Sequence, residues 1–319
     1  MKFQTKILNV PRRLYELNRI YKKEQFSYGH REILLKYINA DESQIINGRL
    51  QHGVWPSHWE ESYLTNLSWS GFAPYYVFSK VREKEAYTRN LKHVISIGAP
   101  WYYMKVNEPA VRKKVRKFLI MPDHSTVNFI DESNFEQKIK RAKEFRKIIG
   151  EDSATICLYF NDFLDTQTRE AFESQGFEVT CVGVGGNSTY WSTAGGRINF
   201  LPNLMKLMLE HEFFLTETLN TSLMYAIDLK LKVGIFPSLK KNLKLGVNGR
   251  VSSKDLTLED HRRCIAYLEK TDLKLSINNF YFTSNYDEFV EEFLGISSVL
   301  QPDELKSILK LKSHFPYKN

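Results

Sequence analysis

From Lys117 to Pro237 short apolar runs alternate with amphipathic stretches, and the connections between them are short. "KFLIMP", "SATICLYF", "FEVTCVGVG", "EFFLTE" and "KVGIFP" read as strands. Between them "NFEQKIKRAKEFRKII", "TQTREAFESQG", "LPNLMKLMLEH" and "TLNTSLMYAIDLKL" read as helices. Asn134 is a fitting N-cap for the first helix and Gly176 a stop for the second. A chain that repeats strand, helix, strand with short connections builds an open parallel sheet. This stretch therefore predicts a doubly wound α/β domain.

A similar series precedes it. "YGHREILLKYI" has the spacing of a helix and "SQIINGRLQHG" is a strand-like run. "PYYVFS" reads as a strand, "KVREKEAYTRNL" as a charged helix and "HVISIGAP" as a strand closed by the stop signals Gly98 and Pro100. Beyond Pro237 the pattern is less regular, with "TLEDHRRCIAYLEK" and "YDEFVEEFLG" helical. A length of 319 residues suits two domains. The expected fold is α/β, with two Rossmann-like domains facing a cleft. The expected divisions are 1–110, 111–300, and a C-terminal helix with a basic tail over 301–319.

Ligands of open α/β sheets sit beyond the carboxyl ends of the strands, so the residues that follow each strand are the candidates. After "RLQ" come His52, Gly53, Val54 and Trp55; after "ISI" come Gly98, Ala99, Pro100 and Trp101. After "FLIM" come Pro122, Asp123, His124, Ser125 and Thr126; after "FFL" come Thr216, Glu217 and Thr218, and then Asn220, Thr221 and Ser222 open a helix. A helix N-terminus carries unpaired N–H groups and a partial positive charge, and small hydroxyl residues there let a phosphate approach. Asn220, Thr221 and Ser222 either form such a site or simply cap the helix. His124, Ser125 and Thr126 either receive a diphosphate or sugar or belong to a surface turn.

The stretch "RLQHGVWPSHWEES" crowds imidazoles, tryptophans and carboxylates into one turn-prone segment. His52 suits general-base work near neutral pH, and Gly53 beside it leaves room for a substrate to approach. Glu60 is the rival base, since tryptophans around a carboxylate would raise its pKa. Trp55 and Trp59 either stack on a sugar ring or pack the loop down. His58 is a further acceptor-binding candidate.

The formal net charge of +8 and pI near 9.1 favour anionic partners such as nucleotide phosphates or an anionic membrane face. Basic clusters stand at the N-terminus, in "VRKKVRK" and in "SLKKNLK", with a further basic tail in "ILKLKSHFPYKN". No nucleic-acid recognition signature accompanies them, so no nucleic-acid partner is expected. Cys157, Cys181 and Cys264 are scattered and read as reduced thiols of a cytoplasmic protein. No signal peptide or run of about 20 apolar residues occurs, so membrane contact would be peripheral, on the inner face. The sequence lacks a Walker A run, a Gly-x-Ser-x-Gly elbow and zinc-type Cys/His spacing. It also lacks Asp-x-Asp, which argues against a nucleotide held through a divalent metal; no metal and no cofactor are expected.

At these residues the sequence resembles the GT-B-type glycosyltransferases that build bacterial capsule and O-antigen polysaccharides. "LQHG" resembles their acceptor-domain His-Gly loop and "SIGAPWYY" the strand and turn that close that domain. "FLIMPDHS" resembles the first strand and loop of the nucleotide-binding domain, and "FFLTETLNTSLMYAIDLKLKVGIF" its Ser/Thr-rich turn, helix and strand. The resemblance implies an acceptor-side first domain, a nucleotide-binding second domain, and sugar transfer from a nucleotide-sugar co-substrate to a glycan or lipid-linked glycan. It implies donor contacts at His124, Ser125, Thr126, Glu217, Asn220, Thr221 and Ser222. It implies acceptor contacts at Gly53, Trp55, His58 and Trp59, with catalysis by His52 or Glu60. The sequence departs from the paired glutamates eight residues apart of many retaining relatives, because position 225 is Tyr. That departure leans towards inversion. The same motifs also resemble polyol-phosphate transferases of the teichoic acid type, and a non-catalytic binding module of polysaccharide assembly is the third reading.

Overall fold

The computed structural model describes residues 27–53, 74–88, 90–91, 93–108, 116–122, 129–131, 133–183, 199–217, 220–235, 243–245 and 286–311. Contacts divide the chain into two compact units.

Among the described residues the first unit holds, after a 3-10 turn at Ser27–Gly29, α1 (His30–Tyr37), β1 (Arg49–Leu50), β2 (Tyr75–Val77), α2 (Lys80–Thr88), β3 (Val94–Ser96) and α3 (Pro100–Asn107). The strands form a parallel sheet in the order β1-β2-β3, with Leu50 beside Tyr76 and Tyr76 beside Ile95. β3 ends before Gly98 and Pro100, as their reading as stops implies, and Pro100 also starts a helix. Proline suits the first helical turn because its missing N–H would have no partner there in any case. The helix then carries Trp101 and Tyr103, expected near a strand-end loop, into the core, where both are fully buried.

The second unit holds β4 (Arg116–Met121), β5 (Phe129–Asp131), α4 (Phe135–Ile149), β6 (Ala154–Cys157), α5 (Phe160–Leu164), α6 (Thr166–Glu173) and β7 (Glu178–Thr180). It continues with α7 (Phe200–Leu209), β8 (His211–Thr216), α8 (Thr221–Asp228), β9 (Lys232–Ile235) and β10 (Leu243–Leu245). Five strands form one sheet in the order β7-β6-β4-β8-β9, and every pairing is parallel. Counted along the chain this is 3-2-1-4-5, the order of a doubly wound sheet. The α/β fold expected from the alternation is thus present in both units. β5 and β10 pair separately as a short antiparallel ribbon, which no local pattern announced.

α4 shows how the sequence sets this packing. Asn134 accepts from the Gln137 N–H at 3.0 Å while Gln137 accepts from the Asn134 N–H at 3.0 Å, a complete capping box. Ala142, Phe145 and Ile149 then recur at helical spacing on one face. They pack on Phe118, Ile120, Ala154, Ile156, Phe213 and Leu215, alternate residues of three neighbouring strands, with Phe172 and Phe177 beside them. Each fully buried aromatic here contributes about 1.5–3 kcal/mol.

The last elements among the described residues are α9 (Tyr286–Leu294) and α10 (Pro302–Leu309). The expected division gave 111–300 to the second domain and 301–319 to a separate tail, whereas contacts group the chain from Glu291 onward with the first unit. Main-chain hydrogen bonds explain the return. Ala99 N–H donates to Leu294 O at 2.9 Å and Asn47 N–H to Leu309 O at 3.1 Å. Tyr76 Oη donates to Ile308 O at 2.9 Å, and Tyr103 Oη accepts from Leu300 N–H at 3.0 Å.

Gly295 ends α9 at φ 64°, and a Cβ there would stand 2.1 Å from Phe78 O and 2.7 Å from Ser79 Cα. The left-handed backbone alone costs an L-residue about 1–2 kcal/mol, and the clash with main chain adds to it. Gly295→Ala should therefore destabilise the first unit by more than about 2 kcal/mol. Urea unfolding would check this, and a loss below about 1 kcal/mol would mean that the close approach relaxes readily.

Candidate functional site

In the second unit β4 and β8 are neighbours at the centre of the sheet, and the strand order reverses between them. Such a switch point opens a crevice outside the strand carboxyl ends, because the connections on either side leave in opposite directions. β4 ends at Met121, followed by Pro122; β8 ends at Thr216, followed by Glu217. Thr216 and Glu217 are both fully buried. Arg141, on the inner side of α4, forms an ion pair with the Glu217 carboxylate through Nη2. Its guanidinium also lies 5.6 Å from the Phe145 ring centroid. A charge pair taken this far from water holds only while both partners remain, since removing one strands the other, at a cost of about 3–5 kcal/mol. Sequence reading singled out Glu217 but not Arg141. One turn earlier on the same helix, Lys138 pairs with Asp165.

Asn220 is the N-cap of α8. Its Oδ1 accepts from Leu223 N–H at 2.9 Å, and its Nδ2 donates to Thr216 Oγ1 at 2.8 Å. The side chain thus satisfies one end of the helix and ties it to the end of β8. Thr221 and Ser222 take the first two helical positions and are half-buried. The positive end of the α8 dipole lies here, at the switch point.

The first unit gathers a second group at the carboxyl end of β1. Gln51 is buried; its Oε1 accepts from Phe78 N–H at 2.8 Å and its Nε2 donates to Gly53 O at 2.7 Å. One amide therefore pins the chain on both sides of His52. The His52 imidazole is half-buried and stacks on Tyr28, with centroids 4.8 Å apart and planes 28° apart. Tyr28 adopts φ 54°, ψ 16°, a left-handed conformation that costs a bulky residue about 1–3 kcal/mol.

His30, fully buried at the start of α1, is 5.7 Å from the Tyr28 ring and 5.9 Å from that of Phe78. Neither ring nitrogen reaches a partner with hydrogen-bond geometry among the described residues. Burial first, and then the neighbouring His52 charge, push its pKa down to about 3, against a smaller opposing effect of the Gln51 main chain. His30 is therefore neutral at every physiological pH. The sequence hid it inside an ordinary helical pattern, since a single histidine on an apolar face has no spacing that marks it.

Glu60, Trp55, His58, Trp59, His124, Ser125 and Thr126 lie outside the described residues. So do most of the basic segments, but Arg116 and Lys117 of "VRKKVRK" are placed, and both are ion-paired. Arg116 meets Glu178 at 2.5 Å and Lys117 meets Asp152 at 2.6 Å. Cys157 and Cys181 are free thiols. Burial foremost, with Cys181 nearby, pushes the Cys157 thiol up to about 12, so it stays protonated. His211, at the amino end of β8, has Nδ1 2.7 Å from Leu207 O and Nε2 3.0 Å from Thr155 Oγ1, a structural arrangement at the edge opposite the switch-point crevice. Among the described residues no helix is long and apolar enough to cross a membrane.

No family model and no curated protein matches the sequence. Among solved structures, the chain is similar to the pneumococcal O-GlcNAc transferase GtfA in complex with UDP and GlcNAc, at 15% identity and TM-score 0.32, over 79% of this chain and 47% of that one. It is similar to TarM at 9% identity and TM-score 0.34, over 86% of this chain and 52% of that one. It is also similar to the UDP-GlcNAc 2-epimerase from Neisseria meningitidis bound to UDP-GlcNAc, at 13% identity and TM-score 0.30, over 69% and 60%. The chain spans about half the length of the first two and 60% of the third. These likenesses are loose, and the fold rests on the strand order described above.

The buried imidazole makes stability depend on pH. His30 has a depressed folded pKa, so below about pH 6.5 the unfolded chain binds a proton that the folded chain refuses. Its contribution is whole above that pH and is lost at about 1.4 kcal/mol per pH unit as pH falls towards the folded value. Urea melts at pH 7, 6 and 5 should show this slope reduced in His30→Leu, with His211, whose pKa is also lowered by burial first, keeping a share of its own. Identical slopes in the two proteins would mean that His30 accepts its proton without unfolding.

Proposed function

We propose that the protein is a glycosyltransferase that moves a sugar from a nucleotide-sugar donor to a hydroxyl of a surface-polysaccharide acceptor, of capsule or O-antigen type, with inversion and without a metal. The observation that carries this reading is the 3-2-1-4-5 order of the second unit, whose switch point falls between β4 and β8 and is followed by Glu217 and the start of α8. A diphosphate at that point would meet the positive end of α8, which stabilises the charge that grows on the leaving group. In the first unit His52 would take the proton of the acceptor hydroxyl. The acceptor oxygen then bonds to the anomeric carbon, and the bond from that carbon to the phosphate oxygen breaks. The nucleoside diphosphate leaves with the electron pair while the proton stays on His52. Glu60 is the rival base in the same segment. Work on a lipid-linked acceptor gives the basic chain a reason to sit on the inner face of a membrane.

A panel of nucleotide sugars and polyol cytidylyl donors, with and without chelator, tests the reaction class. Transfer from a nucleotide sugar that survives chelator is the expected result. Turnover of the polyol donor alone would point to phosphoryl chemistry on the same fold, and loss of activity with chelator would overturn the metal-free mechanism.

In folded His52→Ala with donor affinity intact, turnover should fall roughly 10²- to 10⁴-fold, as for loss of a general base. A near-normal His52→Ala beside a dead Glu60→Gln would assign the base to Glu60.

Ser222→Asp places a negative charge at the second position of α8. Donor binding should weaken by about 1–3 kcal/mol, read as an increase in Kd of about ten- to a hundredfold. An unchanged Kd would remove α8 from the donor site.

A further inference from the structure

We propose that Tyr28 is a positioning residue for His52, its ring fixing the plane in which the imidazole meets the acceptor hydroxyl. The inference rests on the reading of His52 as the base. It starts from a conformation that is costly for a tyrosine. Tyr28 and Gly29 are consecutive left-handed residues ahead of α1, at φ 54°, ψ 16° and φ 75°, ψ 18°. Glycine adopts this geometry freely, while a tyrosine does not. A second glycine or an asparagine would turn the chain into α1 with less strain.

What the tyrosine adds is its ring. It lies 4.8 Å from the His52 imidazole with the planes 28° apart, and 5.7 Å from His30. His30 in turn sets its ring at 69° to Phe78, a core residue at the end of β2. Four rings therefore run in contact from the core to the end of β1: Phe78, His30, Tyr28 and His52. Gln51 already fixes the main chain around His52 through Phe78 N–H and Gly53 O. The side chain has two rotatable bonds of its own, and a flat ring packed on one face limits how they can turn. The neutrality of the buried His30 supports this, because an uncharged neighbour lets the ring column pack without a second positive charge beside the base.

Three variants test the proposal on the full chain: Tyr28→Phe, Tyr28→Leu and Tyr28→Gly. The glycine variant removes the ring while relieving the backbone, so it guards against a leucine variant that fails to fold. In Tyr28→Gly kcat should fall about ten- to a hundredfold, as for a misaligned catalytic group, with KM little changed and stability kept. Tyr28→Phe, which retains the ring, should restore the rate. In NMR spectra the His52 imidazole protons should carry a ring-current shift in the wild type and Tyr28→Phe that is absent from Tyr28→Gly. A folded Tyr28→Gly with normal kcat, beside an inactive His52→Ala, would overturn the role of Tyr28 and leave the base in place. Imidazole shifts that are the same in all variants would overturn the stack itself. A fully active His52→Ala would instead remove the base, and with it the catalytic purpose of the stack.

Discussion

Every strand of the second unit's main sheet runs in the same direction, and that constraint governs what the rest of the chain can do. Parallel strands cannot be joined by hairpins, so each must be followed by a crossover that carries the chain back to the other end of the sheet. All five carboxyl ends then fall on one edge, together with the starts of the helices that follow them. The order 3-2-1-4-5 adds a single reversal, between β4 and β8. One position on the edge is thereby opened by topology alone. Polar groups placed there are partly dehydrated and surrounded by rigid elements, which is what binding a charged ligand requires. His211, buried at the opposite edge, shows the contrast: its two ring nitrogens lie against Leu207 O and Thr155 Oγ1, and it serves the scaffold.

The buried polar groups set the terms on which this edge is stable. Arg141 and Glu217 are each costly to dehydrate, and each makes the other tolerable. Their pairing fixes α4 to the end of β8 and so holds the strand end beside α8 in one register. Arg146, a turn further along, spreads over the far end of the same helix. Its guanidinium lies 4.2 Å from the Phe177 ring centroid and donates to the main-chain oxygens of Gln175 and Gly176, each at 3.0 Å. These cations face inward and bind the scaffold. Arg116 and Lys117 are likewise taken up, by Glu178 and Asp152, so a basic position in the sequence is not by itself a contact for an anionic partner.

Much of the second unit was legible in the sequence because its signals are local. The capping box at Asn134 and Gln137, the apolar spacing of Ala142, Phe145 and Ile149, and the stop at Gly176 all lie within a few residues of what they control. Two kinds of feature were not legible. The return of the chain from Glu291 onto the first unit depends on bonds such as Asn47 N–H to Leu309 O, between residues far apart in sequence, and no periodicity encodes them. The ribbon of β5 and β10 is hidden for the same reason. That Pro100 also opens a helix was not legible, because a proline stops a strand and starts a helix with equal ease, and what Trp101 and Tyr103 pack against decides. At the candidate sites, His52 and Glu217 stood out by position, whereas His30, Tyr28 and Arg141 arrive from other elements and carry no mark of their own.

The strand-end residues then divide by what their side chains hold. Gln51 follows β1 directly and Asn220 stands four residues beyond β8; Gln51 spends its amide on the main chain, Asn220 on the Leu223 N–H and the Thr216 hydroxyl. Gln51 clamps Phe78 N–H and Gly53 O, while Asn220 caps α8 and ties Thr216. An amide suits this work because it both donates and accepts and carries no charge that burial would penalise. The neighbours of these residues, His52 and the Thr221–Ser222 pair, are only half-buried. A loop that must present a side chain to a substrate cannot also rely on that side chain for its own shape. Placing a half-buried residue beside an amide that fixes the backbone separates the two tasks, and this arrangement occurs in both units. That repetition is a reason to look for chemistry at these two strand ends before any other part of the described surface.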